Sequence, residues 1–212
     1  MHVAHIWRYP VKSMAGEQLA VASLTVDGVE GDRLVRVISP TGRIITSRTH
    51  PGLLLQRATL GPDGQPLVDG LDWRDPRVTA AVKRAAGPDS HLLFDSGPER
   101  FDILPLLIAT DGAIDDFGRD YRRLRPNLVI GGVDGLAERT WPGKLLRIGS
   151  EITIAVDSLR MRCVMTTYDP DTGEQDIGVL HDIVRRYDGE LALNCDVTTG
   201  GTIRQGDPVH LL

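Results

Sequence analysis

The amino-acid sequence predicts a mainly β chain of the α+β class, with many short strands and a few short helices. Three observations support this class. β-Branched residues alternate with polar ones through segments such as VASLTVDGVEGDRLVRVIS near the N-terminus. Glycine, proline and aspartate turns separate these segments at short intervals. The alternation returns in the second half, in GKLLRIGSEITIAVDSLRMRCVMTT.

Within the first half, LLLQRATLGPDGQPLVD reads as two short strands about a Gly-Pro-Asp-Gly turn. With the strands before it, this region predicts an antiparallel barrel or sandwich. A short helix is expected from Asp75 to Ala86, because aspartate and proline begin it and Gly87 ends it. A strand that runs into a loop follows in HLLFDSGPERFD, and we place a domain boundary there, giving domains 1–96 and 97–212.

The second half alternates strands with two further helices. One helix is expected from Asp111 to Tyr121, and the other over GVLHDIVRRYDG, where apolar residues recur at helical spacing. RRLRPNLVIGG reads as a strand that places Arg125 and Asn127 on one side. The C-terminal TIRQGDPVHLL has the pattern of a hairpin about Gly206-Asp207.

Composition excludes several classes of function. The chain has 212 residues, of which 41% are hydrophobic and 25% charged, as is typical of soluble globular proteins. A net charge of −5 argues against a nucleic-acid or anionic-membrane binder. No apolar run reaches the ~18 residues that a membrane span needs, and the N-terminus lacks the pattern of a signal or transit peptide. We therefore expect a cytoplasmic protein that binds neither nucleic acid nor membrane.

Cys163 is the first candidate for chemistry, because the chain has only two cysteines and this one stands between arginines and a turn. Strand parity places Cys163 on one face with Met161 and Met165, which indicates a small buried hydrophobe. The flanking arginines favour the alternative. They would stabilise a thiolate able to bind a soft metal if the strand ended there.

A second group of candidates would bind an anion. Lys12 and Ser13 leave a strand together, so a point charge lies beside a hydroxyl, although the residues taken alone favour a solvated turn. Arg33 and the pair Arg125 and Asn127 offer a guanidinium and an amide edge, which suit an anion attached to a heterocycle. A surface ion pair is the alternative for Arg33.

Taken together, these fragments resemble the MOSC domain family, named for the C-terminal domain of molybdenum-cofactor sulfurases. Within that family they are most similar to the amidoxime-reducing components and their bacterial relatives. The matching marks, in the family's order, are Tyr9-Pro10-Val11-Lys12-Ser13, Gly31-Asp32-Arg33, Thr46-Ser47-Arg48-Thr49-His50-Pro51, Arg125-Pro126-Asn127-Leu128-Val129-Ile130, Ala137-Glu138 with Trp141, Arg162-Cys163 with Thr166-Thr167, Asp169-Pro170-Asp171-Thr172-Gly173 and Gly206-Asp207-Pro208-Val209.

The resemblance implies a MOSC-type β-barrel with a closely packed N-terminal β-barrel-like subdomain and a few short helices. It also implies a molybdenum cofactor, Mo-molybdopterin, with Cys163 as metal ligand and catalytic residue. The cofactor-binding roles fall on Lys12, Ser13, Arg33, Arg125 and Asn127.

The expected function is an oxidoreductase that reduces small N-hydroxylated substrates with electrons from a separate protein. Two alternatives remain. One is a binding module that carries the cofactor, or sulfur as a Cys163 persulfide from a separate donor protein, without redox turnover. The other is a relative that keeps the fold without a cofactor. The chain is shorter than the amidoxime-reducing proteins, mainly between Arg33 and Arg125.

Overall fold

The computed structural model describes residues 1–95 and 97–212, and it confirms the mainly β fold. In these described residues, three α-helices and several short 3-10 helices accompany the strands. The strands are β1 (His2–Arg8), β2 (Glu17–Leu19), β3 (Val21–Thr25), β4 (Gly28–Val29), β5 (Val35–Ile38), β6 (Ile44–Ile45), β7 (Ala58–Leu60), β8 (Pro66–Val68), β9 (Leu71–Asp72), β10 (His91–Phe94), β11 (Leu106–Thr110), β12 (Leu128–Gly131), β13 (Leu145–Ile148), β14 (Ile152–Met161), β15 (Glu190–Thr199), β16 (Gly201–Arg204) and β17 (Val209–Leu211). The helices are α1 (Pro76–Ala86), α2 (Asp111–Phe117) and α3 (Ile177–Tyr187), with 3-10 helices at Pro51–Leu55, Pro98–Arg100, Tyr121–Leu124, Ala137–Thr140 and Val164–Thr167.

One eight-stranded sheet dominates the fold, in the order β17-β13-β14-β15-β11-β12-β1-β2. β11 and β12 pair in parallel, and the other neighbours are antiparallel. Its apolar side chains form the largest core cluster, which includes Ile6, Leu128 and Ile154. Because Ile6 pairs with Leu128, the end of β1 lies beside the start of β12. This pairing brings the segment after β1 next to the segment before β12.

The N-terminal part has a second core under three-stranded sheets. β10-β5-β6 and β7-β8-β9 form these sheets, whereas a further three-stranded sheet, β16-β3-β4, packs Ala22, Leu24 and Ile203 into the main core. Val11, Met14, Val35 and Leu53 pack in this second core, and α1 covers it with Val78 and Val82, among others. The predicted strand pair about Gly-Pro-Asp-Gly is confirmed as β7 and β8.

Local capping chemistry explains the helices. The Asp75 side chain accepts a hydrogen bond from the Arg77 backbone N–H, and Gly87 ends α1, as predicted. α3 begins after Asp176, whose side chain accepts from Gly178 N–H. The second helix is shorter than predicted. It ends at Phe117 because Gly118 adopts a left-handed conformation with φ of 64°, and a separate 3-10 helix starts at Tyr121.

The predicted C-terminal hairpin is wrong. β16 pairs with β3 and β17 pairs with β13, so the two strands belong to different sheets. The turn between them is instead bonded to the N-terminal strand, since Gly206 N–H donates to the Val3 carbonyl and Val3 N–H donates to the Asp207 carbonyl. Strand pairing with distant segments therefore prevails over the local turn pattern.

The predicted boundary between 96 and 97 touches Ser96, which lies outside the described residues. The division into 1–96 and 97–212 stays a prediction. Among the helices in the described ranges, none combines the length and the apolar character that crossing a membrane requires.

Candidate functional site

Cys163 lies where β14 has ended. The strand stops at Met161, and Cys163 is extended, with φ of −134°, immediately before the 3-10 helix Val164–Thr167. Its carbonyl accepts hydrogen bonds from the Thr166 N–H and hydroxyl at 3.1 and 3.0 Å. Met161 is 59% exposed, so the parity argument that placed it in a core face with Cys163 is wrong. Cys163 is half-buried, whereas Cys195 is fully buried in the main core.

A bulge helps to turn the chain at this point. The register between β14 and β15 shifts between Leu159 and Met161, and Ala192 on the opposing strand has φ of 74°. Bulges re-aim side chains and end strand pairing next to functional sites. Here the shift precedes the segment that carries Cys163 to a cavity.

This cavity has a volume of about 90 Å³ and is called the cysteine cavity below. Five of the six predicted site residues line it, although they come from distant parts of the chain. Its lining residues are Lys12, Ser13, Arg33, Thr46, Arg48, Asp102, Leu107, Leu124, Arg125, Arg160, Met161, Arg162, Cys163 and Met165.

Three of these residues have an unusual backbone conformation. Six non-glycine residues have positive φ within the described part of the chain, and three of them line the cysteine cavity: Ser13 at 72°, Arg33 at 54° and Arg125 at 56°. A left-handed conformation is unfavourable for residues with a Cβ and persists where the surrounding structure enforces it. Such residues concentrate at binding sites, which supports a functional interpretation of the cavity.

The cysteine cavity is strongly cationic. Among residues 1–95 and 97–212, Asp102 is the only acidic residue that lines it. Six basic residues surround this carboxylate: Lys12, Arg33, Arg48, Arg125, Arg160 and Arg162.

Asp102 binds three of these basic residues. Lys12 Nζ donates to Asp102 Oδ1 at 2.7 Å, Arg48 Nη2 donates to Oδ2 at 2.8 Å, and Arg160 Nη2 lies 3.5 Å from Oδ2. Partial burial opposes ionisation of Asp102, but Lys12 and the two arginines lower its pKa to about 2. Burial lowers the pKa of Lys12, and Asp102 opposes that change. A single carboxylate therefore neutralises only part of the cavity's positive charge.

Arg162 has unused hydrogen-bonding capacity at this site. Its Nη2 donates to the Leu124 carbonyl at 2.7 Å, while Nε and Nη1 are buried without a hydrogen-bond partner among the described residues. Burial, and secondarily repulsion from Arg160, lowers the pKa of Arg162 to about 10. Buried donors without partners are costly, so an anionic oxygen placed here would be stabilised.

Tyr9 separates two of the predicted arginines. The Arg125 guanidinium lies 4.3 Å from the centre of the Tyr9 ring, and that of Arg33 lies 5.5 Å away. Arg33 also pairs with buried Asp32, and Arg125 Nη2 donates to the Met14 carbonyl at 2.7 Å. Burial raises the pKa of Tyr9, which keeps its hydroxyl protonated. The ring therefore holds both cations in fixed positions.

Asn127 does not line the cysteine cavity. It is fully buried, its Nδ2 donates to Asp32 Oδ2 at 3.2 Å, and its Oδ1 accepts from Leu107 N–H at 3.2 Å. It borders a separate cavity of about 40 Å³ that also contacts Arg33 and Arg160. The prediction that Arg125 and Asn127 share one side of a strand is wrong, because Arg125 precedes the strand in a left-handed conformation.

A larger cavity adjoins the site and is called the aromatic cavity below. Its volume is about 410 Å³, and it shares Arg125 and Met165 with the cysteine cavity. Its lining residues are Trp7, Tyr9, Ala15, Gly16, Gln18, Leu54, Leu55, Arg57, Arg122, Arg123, Arg125, Met165, Tyr168, Pro170 and Asp171.

The donor set suits a pterin cofactor with a phosphate and a soft metal. Cationic donors match the phosphate, the unpartnered nitrogens of Arg162 match further oxygens, and the Cys163 thiol matches molybdenum. Within residues 1–95 and 97–212, no three His, Cys, Asp or Glu side chains form a metal-binding group. At about 90 Å³ the cysteine cavity alone is smaller than the ~300 Å³ typical of ligand sites, so a whole cofactor would also need adjoining space.

Comparison with known proteins agrees with this architecture. Residues 1–91 match the model of the MOSC N-terminal beta barrel domain, and residues 112–210 match that of the MOSC domain. The chain belongs to the MOSC domain family. The family predicted from the sequence marks is thus confirmed. Lys12, Ser13 and Arg33 lie in the first matched region, and Arg125, Asn127 and Cys163 lie in the second.

Two curated human proteins are similar to this MOSC protein over nearly its whole length. Mitochondrial amidoxime reducing component 2 is 29% identical, with 98% of this chain and 82% of the human protein covered. Mitochondrial amidoxime-reducing component 1 is 24% identical, with 99% and 82% covered. Among solved structures, the YUAD protein from Bacillus subtilis has a TM-score of 0.54 at 13% identity, covering 99% of this chain and 94% of that one. This last similarity shows the fold alone.

Sequence reasoning missed Asp102 as a site residue, and it treated Arg160 and Arg162 only as neighbours that would stabilise a Cys163 thiolate. A signal existed for Arg162, which adjoins Cys163 in the Arg-Cys mark. Asp102 lies in a segment without periodic pattern, and its partner Lys12 is 90 positions away in the sequence. Only the folded chain brings that pair together.

Proposed function

We propose that this MOSC protein binds a molybdenum cofactor at the cysteine cavity and reduces N-hydroxylated substrates with electrons from a separate protein. The supporting observation is the arrangement at Cys163. The strand ends before it, and its side chain borders a cavity with six basic residues and one acidic residue. Similarity to curated amidoxime-reducing proteins supports the choice of substrate class.

Each predicted residue has a role in this proposal. Cys163 ligates the metal, and Lys12 and Ser13 contact the phosphate beside Arg33. Arg125, held against Tyr9, contacts the pterin. Asn127 acts indirectly. Its side-chain amide donates a hydrogen bond to Asp32, and Asp32 pairs with Arg33. Asn127 therefore orients an arginine of the site.

The overall reaction cleaves the substrate N–O bond, consumes two electrons and two protons, and releases water. When bound, the cofactor would supply the redox centre. The protein positions that centre through Cys163 and the cationic side chains, and the partly enclosed cavity limits access of water. The electrons come from a partner protein, as the resemblance to amidoxime-reducing components implies.

Metal and pterin analysis tests the proposal. Protein expressed in a host that makes molybdenum cofactor should contain molybdenum and pterin, and Cys163→Ala should lose most of the molybdenum and all turnover of an N-hydroxy substrate. Cys195→Ala is the matched control, because that thiol lies in the core. Soluble wild-type protein without molybdenum or pterin, or equal loading of Cys163→Ala, would refute the assignment.

The small volume beside Cys163 favours a second candidate, a binding module that carries the cofactor, or sulfur as a Cys163 persulfide, to other enzymes. About 90 Å³ accommodates a small group more readily than a pterin. Steady turnover of an N-hydroxy substrate with an artificial electron donor would exclude this candidate. Cofactor transfer to a second protein without turnover would support it.

A further inference from the structure

The aromatic cavity adjoins the cysteine cavity, and of the residues proposed to contact the cofactor only Arg125 lines it. Its walls come from the end of β1, the segment before β2, the 3-10 helices Pro51–Leu55 and Tyr121–Leu124, and the turn that follows Tyr168. At about 410 Å³ it falls within the range of small-molecule sites and is too small for a folded partner. Its dimensions therefore indicate a compact ligand.

Three aromatic side chains line this cavity, and Trp7 is more exposed than Tyr9 and Tyr168, which are largely buried. The Trp7 and Tyr9 rings are stacked, with centroids 6.3 Å apart and planes inclined by 16°. Their polar atoms already have partners, since Trp7 Nε1 donates to Tyr121 Oη at 3.2 Å and Tyr9 Oη donates to the Pro126 carbonyl at 3.2 Å. Tyr168 contributes a third ring to the lining. Such surfaces favour a planar apolar ligand.

Most of the basic residues in this lining already have partners. Arg122 bonds to Asp120 and Asp171, and Arg123 bonds to Asp169 and the Thr167 carbonyl. The Arg125 guanidinium packs against the Tyr9 ring and donates a hydrogen bond to the Met14 carbonyl.

Arg57 differs from these arginines. Its guanidinium forms no hydrogen bond or ion pair with any residue that the structure describes, and the residue is exposed at the cavity. Aromatic walls with one available guanidinium match a ligand that has a planar ring and one anionic group, for which a carboxylate has the right geometry.

We propose that the aromatic cavity binds a planar aromatic carboxylate, with its ring against Trp7 and Tyr168 and its carboxylate on Arg57. In terms of the proposed function, on which this step rests, the cavity selects N-hydroxylated substrates that carry such a group. Met165 lines both this cavity and the cysteine cavity, and its sulfur accepts a hydrogen bond from the Ser47 hydroxyl at 3.1 Å.

Binding can be measured without cofactor turnover. Calorimetric titration with 2-naphthoate should show one site per chain, with roughly tenfold weaker binding in Arg57→Gln. Arg43→Gln is the matched control, since that arginine is exposed on a distant turn and its loss changes net charge equally. The neutral 2-naphthamide should bind more weakly than 2-naphthoate, and Tyr168→Leu should weaken both ligands.

Absence of 2-naphthoate binding at millimolar concentration, or equal affinity in Arg57→Gln and wild type, would overturn the proposal. Equal affinity for cyclohexanecarboxylate would contradict the role of the planar ring.

A kinetic experiment links this site to the reaction. With cofactor-loaded protein, Arg57→Gln should raise KM for an aryl amidoxime bearing a carboxylate about tenfold, with little change in kcat. If 2-naphthoate binds but no molybdenum or turnover is found, the proposed function fails while the binding site stands. If turnover occurs without 2-naphthoate binding, only this inference fails.

Discussion

Asp102 has the same charge as the ligand that the cysteine cavity is suited to bind. Its carboxylate contacts Lys12 and Arg48 at hydrogen-bond distance, and Arg160 lies just beyond. An incoming phosphate would compete with Asp102 for these cations. We infer that Asp102 stabilises the basic cluster when no anionic ligand is present, and that it also weakens the binding of one.

Replacing Asp102 with asparagine should separate these two effects. In the absence of anions, we expect Asp102→Asn to lower the free energy of unfolding by about 1 kcal/mol or less. The loss is small because the Asp102 side chain is 37% exposed and solvent screens its ion pairs. Inorganic phosphate should raise the Tm of Asp102→Asn more than that of wild type. Thermal melts with and without phosphate measure both effects.

The contribution of Asp102 to stability depends on pH. The pKa of Asp102 lies at about 2, below its ordinary 3.8, so its contribution to stability is present above about pH 4 and is lost as the pH falls towards 2. The stability difference between wild type and Asp102→Asn should therefore shrink below about pH 4. If phosphate raised the Tm of wild type and Asp102→Asn equally, the inferred competition between Asp102 and phosphate would be contradicted.

At the scale of elements, Thr110 joins three of them. It ends β11, its hydroxyl oxygen accepts from Ala113 N–H at the start of α2, and the hydroxyl donates to Glu138 Oε2 at 3.2 Å in the 3-10 helix Ala137–Thr140. Glu138 is buried, and burial raises its pKa. The hydrogen bond from Thr110 is important for this buried carboxyl group, because its Oε1 has no hydrogen-bond partner among the described residues.

Thr110→Val should remove both hydrogen bonds while keeping the shape of the side chain. We expect a loss of about 1–3 kcal/mol in the free energy of unfolding, since a helix cap is lost and a buried carboxyl group loses its donor. Urea unfolding monitored by circular dichroism measures the change. Thr140→Val is the control, because its hydroxyl donates only to a local carbonyl at the surface. Equal stability of the two variants would show that the Thr110 contacts contribute little.

Elements governed by local chemistry could be predicted from the sequence, and those governed by distant pairing could not. α1 follows from Asp75 and Gly87, which act within one turn of the helix. The orientations predicted for Cys163 and Arg125 were wrong, because the two-residue period assumed that each residue lies within a strand. In the structure β14 ends at Met161 and β12 begins only at Leu128. The family marks pointed to five residues that the fold brings to the cysteine cavity and to Asn127, which lies behind it, whereas the two-residue period assigned the orientation of Arg125 and Cys163 wrongly.

At the scale of the whole molecule, the two parts of the chain share one sheet. β1 and β2 come from the first part, yet they extend the sheet formed by β11 to β15 and β17 of the second part. Without β1, the buried strand β12 would expose Leu128 and Ile130 at a sheet edge. Exposed apolar edges aggregate.

We therefore expect fragment 97–212 to be insoluble or unfolded alone, and coexpression with fragment 1–96 to restore a folded complex. Circular dichroism and size-exclusion chromatography of both preparations provide the measurement. The intact chain should unfold in a single urea transition, because the shared sheet couples its parts. A well-folded, monomeric fragment 97–212 would show that the two parts are energetically independent.

The left-handed residues around the cysteine cavity have a consequence for protein engineering. Glycine adopts the conformation of Ser13 without strain, so selection for heat resistance alone would favour glycine at this position, whereas Arg33 and Arg125 are retained by their contacts with Asp32 and the Met14 carbonyl. The change at Ser13 would delete a side chain that lines the cavity. Variant libraries of this protein that are screened only for survival at high temperature would therefore become enriched in stable chains with an impaired binding site. Such a screen should also require that the protein retains a bound anion.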